Sequence, residues 1–240
     1  MTTLMLENLV KVYDKKRVLD SVSLTIENSQ VVGLLGPNGA GKTTTFYLTI
    51  GIIKPDQGNV FLDGENITNC PMYMRARKGI GYLPQEASVF RKLTVKQNIL
   101  AILEILPIPK SGLEDRANML LDELGIKHLA NQKANSLSGG ERRRLEISRA
   151  LATNPSFMLL DEPFAGIDPL AVIDIKNIIG QLKKRGIGVV ISDHNVRETL
   201  EVCDKAYILN NGKVIESGPP AKIAASETAR RIYLGNEFKL

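Results

Sequence analysis

Eight residues constrain this chain more than any other stretch: Gly36-Pro37-Asn38-Gly39-Ala40-Gly41-Lys42-Thr43. The run fits the spacing G-x-x-x-x-G-K-[ST], in which main-chain amides cradle phosphates, a lysine reaches the β/γ oxygens and a hydroxyl ligates Mg²⁺. A pattern this short can arise by chance, so its flanks decide. Val31-Val32-Gly33-Leu34-Leu35 reads as a short strand buried on both faces, and the residues from Lys42 onward read as a helix whose free N-terminal amides face an anion. Strand, loop and helix therefore come in the order that a phosphate site requires.

Composition narrows what can surround that loop. With 43% hydrophobic residues among 240, the chain can bury one large α/β core or a core with a subdomain. The net charge of +5 is interspersed and aromatics make up only 5%, so no nucleic-acid partner is expected. Arg142, Arg143 and Arg144 do not change this. Three successive helical residues spread over about 200° of circumference, which reads as a solvated face with one or two arginines near phosphate or a partner. Cys70 and Cys203 lack metal-ligand spacing and are read as reduced thiols. The start, Met1-Thr2-Thr3-Leu4, has no basic stretch leading into an apolar one, and the most apolar run, Ile99 to Ile108, is broken by Glu104 and Pro107. Membrane contact is expected only through partners.

Residues 4–13 and 18–27 alternate apolar and polar positions, which predicts two antiparallel strands around the turn Asp14-Lys15-Lys16. Beyond the loop's helix, residues 54–58 read as a turn, Val60-Phe61-Leu62 as a strand, Asp63-Gly64 as a hairpin turn, and Ile80 to Gln85 as a strand ending in a polar residue. From Thr94 to about Lys133 the period turns helical. Thr94 can cap one helix, and Ser111 with Glu114 suggests a capping box for a second, with Pro107 and Pro109 between them. The α/β alternation then resumes: a helix over 140–152, the strand Phe157 to Leu160, a helix capped by Asp168 with Pro169 first, and the strand Gly188 to Ser192. Asn210-Asn211-Gly212 marks a hairpin between two further strands, and a short helix from about Pro220 precedes a polar tail. Together these predict a mainly parallel sheet with helices on both faces, an antiparallel β start and a helical insert.

Ligands in open α/β sheets bind at the C-terminal ends of strands, and Phe157 to Leu160 runs directly into Asp161-Glu162. Mg²⁺ takes hard oxygen ligands and keeps several waters, so Thr43, the phosphates of ATP, Asp161 and the amide oxygen of Gln85 make a partial shell. Glu162 would then face the attacking water. A helix start or a solvated turn is the competing reading of the pair. Leu137-Ser138-Gly139-Gly140-Glu141 suggests a second anion site, because a hydroxyl and small residues open a helix there. Ser138 acting only as a helix cap is the alternative.

These elements together resemble a known family. The loop Gly36 to Thr43, Gln85, the pentapeptide Leu137 to Glu141, Leu160-Asp161-Glu162, Gly166-Ile167-Asp168 and His194 occur in the order and spacing of ABC transporter nucleotide-binding subunits. The likeness covers nearly the whole chain, and the pentapeptide is that family's signature. It implies an α/β P-loop NTPase core with an N-terminal antiparallel β subdomain over residues 1–86 and 157–220. A helical subdomain over about 87–156 would end in the signature helix, and a C-terminal helix and tail would fill 221–240. The resemblance also implies ATP and Mg²⁺, ATP hydrolysis, and a head-to-tail homodimer that traps two ATP molecules. Two transmembrane permease subunits would be the partners, with the chain peripheral on the cytoplasmic face of the inner membrane.

Residue by residue, the resemblance implies that Gly36, Pro37, Asn38, Gly39, Ala40, Gly41, Lys42, Thr43 and Thr44 hold phosphates, Lys42 neutralising β/γ charge. Thr43, Gln85 and Asp161 would serve the metal, Glu162 would be the general base or polarise the water, and His194 would touch the γ-phosphate. Ser138, Gly139, Gly140 and Glu141 would meet ATP held by the other copy, Asp168 would communicate across the dimer, and Tyr13 would stack on adenine. Phe90 and Arg91 are candidate anchors for a coupling helix of the membrane subunit. Read without the resemblance, His194 fits a surface or core histidine, and Tyr13 and Phe90 fit packing residues. A soluble phosphoryl-transfer enzyme using the loop alone would turn over as a monomer and leave Ser138-Gly139-Gly140 without a role. A nucleotide-gated binding module would leave Asp161-Glu162 without one.

Overall fold

A computed structural model describes residues 2–235, 237–238 and 240. β1 (Thr3–Tyr13) and β2 (Lys16–Glu27) pair antiparallel across Asp14-Lys15, whose φ values of 46° and 65° are both positive. Turns of that kind match the twist of the strands they join. β3 (Val31–Leu35) is buried at every residue and leads through the loop into α1 (Lys42–Ile50). β4 (Gln57–Leu62) returns to pair with β1, and a turn at Asp63-Gly64 gives the two-residue strand β5 (Glu65–Asn66). These strands form an antiparallel sheet in the order β2-β1-β4-β5.

The chain continues through α2 (Met72–Arg77), β6 (Ile80–Leu83), α3 (Val95–Leu103), α4 (Leu113–Glu123), α5 (Gly139–Leu151), β7 (Phe157–Asp161) and α6 (Pro169–Lys184). It closes with β8 (Gly188–Ser192), α7 (Val196–Val202), β9 (Lys205–Asn210), β10 (Lys213–Gly218) and α8 (Pro220–Ala225). The second sheet has the order β10-β9-β3-β8-β7-β6, parallel throughout except for the β9-β10 hairpin. β3, β7 and β8 are buried at every position, as strands covered on both faces must be. Because they are parallel, their C-terminal ends deliver the phosphate loop, Asp161-Glu162 and His194 to one edge.

Two apolar layers hold this arrangement. Phe46, Leu48 and Ile50 of α1 are buried between the sheets with Leu6, Leu24 and Leu159. On the other face Ile99, Leu120, Leu145 and Ile175 bring α3, α4, α5 and α6 against Met158, Leu160 and Ile191. Each large apolar side chain buried this way contributes roughly 1.5–3 kcal/mol relative to exposure. The C-terminal end of α1 has a cation of its own. Arg75 of α2 is 1% exposed, and its guanidinium donates to the carbonyls of Leu48, Thr49, Thr68 and Cys70. Leu48 and Thr49 lie in the last turn of α1, where carbonyls lack helical partners and a positive charge meets the negative end of the helix dipole.

Local geometry corrects some expectations. Thr94 does cap α3, in a reciprocal box with Gln97, and Asp168 caps α6 ahead of Pro169. The box expected from Ser111 and Glu114 does not form: Ser111 lies in a 3₁₀ turn, Lys110–Gly112, and Gly112 opens α4 with no side-chain cap. Glu114 instead pairs with Lys96 of α3, so a contact between helices takes the carboxylate a local box would have used. The strand expected to reach Gln85 ends at Leu83, because Pro84 has no N–H to continue the ladder. Helices α2 and α7 were not anticipated, and part of the expected polar tail is helical, over Glu227–Ala229 and Arg230–Leu234.

Candidate functional site

The phosphate loop is built around backbone shapes that favour glycine. Gly41, at the start of α1, has φ 109°, and a Cβ there would lie 2.4 Å from a Leu19 methyl. At Gly36, φ is 148° and a Cβ would meet the Leu209 carbonyl oxygen at 2.1 Å, so both positions need the missing side chain. Lys42 Nζ donates to the carbonyls of Gly36 and Pro37 at 2.7 and 3.1 Å. Burial lowers its pKa, opposed by the charges of Glu162, Asp161 and Asp193. The lysine, the loop and the three carboxylates thus share one electrostatic neighbourhood. Thr43 is exposed and Thr44 half-buried on the first turn of α1.

Asp161 is the last residue of β7, and Glu162 follows it with φ 47°, its N–H donating to the Ser192 carbonyl at 2.7 Å. That left-handed step turns the second carboxylate away from the strand direction. Gln85 Nε2 donates to Glu162 Oε2 at 2.8 Å, and His194 Nδ1 stands 3.5 Å from the same oxygen. Asp161 is 3% exposed, and desolvation is the main cause that pushes its pKa up to about 6. A hydrogen bond from Tyr82 and the charges of Arg143 and Lys42 act the other way, while Glu162 adds to the rise. Of the residues singled out in the sequence, Lys42, Gln85, Asp161, Glu162 and His194 are therefore gathered at one edge.

The arginine run was read as a solvated face, and the structure corrects this at its middle residue. Arg143 is 7% exposed; its guanidinium donates to the carbonyls of Pro84 and Asp161 and pairs with Glu146 at 3.2 Å. Glu146 in turn accepts from the Ser88 N–H at 2.7 Å. One buried ion pair on α5 thereby fastens both ends of the segment around Gln85 and the backbone of Asp161. Arg144 pairs with Asp174 on α6. Asp193, also missed, is fully buried and accepts from the N–H groups of Phe164 and Asn195, tying the loop after Glu162 to the end of β8. Burial raises its pKa against those two bonds. An acidic residue beside His194 was the one available signal.

Ser138 caps α5. Its hydroxyl accepts from Glu141 N–H, and Glu141 Oε2 takes bonds from the Ser138 N–H and hydroxyl at 2.8 Å each. These bonds hold the Glu141 carboxyl below its usual range. Gly140 packs closely on α6, where a Cβ would come 3.1 Å from that of Ala171. Gly139 lines a cavity of about 160 Å³ with Gln85 and Glu162, but among the described residues no hydrogen bond or ion pair joins Ser138–Glu141 to the phosphate loop. Asp168 Oδ1 accepts from Ala171 N–H at 2.9 Å. Tyr13 is 43% exposed at the end of β1, with Lys11 Nζ 5.4 Å from its ring. Phe90 is 44% exposed, and the Arg149 guanidinium lies 4.5 Å from its ring centroid; Arg91 is exposed beside it.

A phosphate loop, a carboxylate pair at a strand end, a glutamine and a histidine around the second carboxylate, and a separate serine-glycine helix start define the class. The chain belongs to the ABC transporter family, whose model matches residues 19–165, and within it to the ATP-binding, ATP-hydrolysing subunits. It is 55% identical to the lipopolysaccharide export system ATP-binding protein LptB of Escherichia coli K12 and 54% identical to that of Haemophilus influenzae Rd, each comparison covering 100% of both chains. Among solved structures, an ATP-binding cassette of an ABC transporter in its ADP conformation superposes with a TM-score of 0.88 at 32% identity, covering 98% of this chain and 100% of that one. A dimeric post-hydrolysis cassette bound to ADP and Pi gives 0.79 at 26% identity, covering 90% and 98%. Among the described residues no helix is long and apolar enough to cross a membrane.

Proposed function

We propose that this chain is the ATPase of a lipopolysaccharide export transporter, working as a homodimer beneath two membrane subunits at the cytoplasmic face of the inner membrane. The observation that carries the reading is the end-to-end likeness to the two LptB proteins. Particular runs support it: Tyr82 to Ser88, Ser138 to Arg144, Asp161 to Gly166, Ser192 to Thr199 and Tyr233 to Phe238, of which Asn236 lies outside the described residues. The 226–234 segment adds Ala229, Tyr233 and Leu234 to a small apolar cluster with Leu35, Ile208 and Ile223.

The site's residues suit the chemistry. Thr43, Asp161 and Gln85 offer a hydroxyl, a carboxylate and an amide oxygen, a set of hard donors that fits Mg²⁺. A carboxylate that burial disfavours in its charged form is also one that a divalent cation would stabilise. When bound, the metal offsets phosphate charge. Lys42 and the amides of the loop bind and orient the β and γ phosphates. Glu162 accepts a proton from the attacking water at a carboxylate oxygen, once Gln85 has given up its bond to that group, and His194 donates toward the γ-phosphate. Ser138 and the amides at the start of α5 face phosphate held by a second copy, which exchanges the Ser138 hydroxyl's bond to Glu141 for one to ATP. Asp168 and Tyr13 serve the dimer contact and the adenine ring respectively.

A groove of about 260 Å³ supports membrane coupling. Met72, Tyr82, Ser88, Ile102 and Arg149 help to line it, and Arg149 also holds the exposed Phe90 ring. An apolar helix end from the membrane subunit fits there, with Phe90 reached through Arg149; Arg91 lines a separate cavity with Val89, Ala134, Asn135 and Arg142. The reading is tested by isolating the tagged chain from native membranes in detergent. Two permease subunits and a lipid A-bearing glycolipid should accompany it; recovery of an amino acid permease instead overturns the cargo.

The shift at Asp161 makes a pH prediction. Its folded pKa is raised from 3.8 to about 6, with Tyr82, Glu162, Arg143 and Lys42 as the groups that face it. A metal requires the ionised form, so Mg²⁺-dependent nucleotide affinity should be complete above about pH 7 and lost as pH falls through about 6. For folding without metal the sign reverses: the protonated acid favours the folded chain, a contribution present in full below 3.8 and lost as pH rises from there through about 6. Nucleotide titrations with and without Mg²⁺ between pH 5 and 8 read the first effect. Asp161→Asn should remove the step near pH 6, and a step that persists in that variant assigns it elsewhere.

A further inference from the structure

Tyr82 of β6 pairs in register with Leu159 of β7, and Asp161 lies two residues beyond Leu159. Side chains two apart on a strand share a face, so Tyr82 and Asp161 are diagonal neighbours across the pair, at a spacing of about 7–8 Å that a long aromatic can bridge. It does so: Tyr82 Oη donates to Asp161 Oδ2 at 3.3 Å. Oδ1 accepts no hydrogen bond among the described residues. The main chain at the same position is fixed by the Arg143 guanidinium on the Asp161 carbonyl at 3.1 Å.

The phenol is suited to act as a fixed donor. Tyr82 is half-buried; burial first, then the charge of Asp161, raise its pKa and keep it protonated. An aspartate's terminal torsion is broad and nearly two-fold, so without a lock its two oxygens exchange places freely. With Oδ2 engaged by Tyr82, Oδ1 is the oxygen left for a cation.

We propose that Tyr82 is a positioning residue for Mg²⁺, holding the Asp161 carboxylate in the orientation that presents Oδ1 to the metal. The proposal rests on the reading of Asp161 as a ligand, and it adds a residue that the phosphate-loop and carboxylate motifs do not contain. Partners of metal ligands typically change metal affinity by about 10- to 100-fold.

The test titrates Mg²⁺ into the full-length chain with a fluorescent ATP analogue at about pH 8, where Asp161 is ionised. Tyr82→Phe keeps the ring and removes the hydroxyl. Its Mg²⁺ midpoint should rise about 10-fold, while nucleotide affinity without metal stays within about twofold. Tyr82→Leu should show the same midpoint shift together with a lower melting temperature. A normal midpoint in Tyr82→Phe with a raised one in Tyr82→Leu reduces Tyr82 to packing and overturns the proposal. Asp161→Asn separates the two layers. If it abolishes the Mg²⁺-dependent gain while Tyr82→Phe is neutral, only the role of Tyr82 falls; if the gain survives in Asp161→Asn, the ligand reading falls and the proposal with it.

Discussion

Replacing Glu162 by Gln should leave ATP binding intact and slow hydrolysis by about 10²- to 10⁴-fold, or about 3–5 kcal/mol of barrier. The substitution is unusually clean here. Gln has the shape of Glu and can still accept the bond that Gln85 Nε2 now gives to Glu162 Oε2, so the segment around Gln85 keeps its contact. The backbone is held independently, by Glu162 N–H on the Ser192 carbonyl. What disappears is the ability to take a proton from water. Glu162 is 25% exposed in its side chain, so the neutral amide should change stability by no more than about 0.5 kcal/mol. Single-turnover phosphate release and nucleotide affinity, measured on the same preparation, separate the two effects. Turnover within about threefold of the parent would remove Glu162 from the chemistry.

The contrast between Glu162 and Arg143 shows what the sequence could tell. The placement of Glu162 was legible because it is carried by local order: an apolar strand, then two carboxylates, with a phosphate loop elsewhere. The strands and hairpins were legible for the same reason, since Asp14, Asp63-Gly64 and Asn211-Gly212 adopt the positive φ values that Asp, Asn and Gly favour. Arg143 was not legible. Nothing local distinguishes it from Arg142 and Arg144; only the rotation of α5 against β7 decides which of the three is buried among Pro84, Glu146 and Asp161. Arg75 and Tyr82 share that condition, because their partners lie on α1 and β7 and become neighbours only when the layers assemble. At Ser111 the local signal was present and lost, because Glu114 gains a charged partner, Lys96, from the neighbouring helix.

Chains carrying Lys42→Ala and chains carrying Ser138→Arg should each be inactive alone and recover activity when mixed. The reasoning starts from separation within one chain. Lys42 is turned onto its own loop, bonded to Gly36 and Pro37, while Ser138 opens a different helix and, among the described residues, its hydroxyl bonds its own Glu141. On the proposed reading each is half of an anion site. In the proposed head-to-tail pair the phosphate loop of one copy meets α5 of the other, so a homodimer of either variant has the same half missing from both sites. A mixed pair is different: one site carries both lesions and the other carries neither. With equal amounts and free exchange, half the dimers are mixed and each holds one intact site of two, so independent sites should restore about a quarter of parental turnover. Ser138→Arg removes a cap worth about 1 kcal/mol and sets a bulky cation against the positive end of α5, a loss the fold can carry. Turnover no greater than the sum of the parents, with no ATP-dependent pairing in the mixture, would place the complete site within one chain and overturn the dimer.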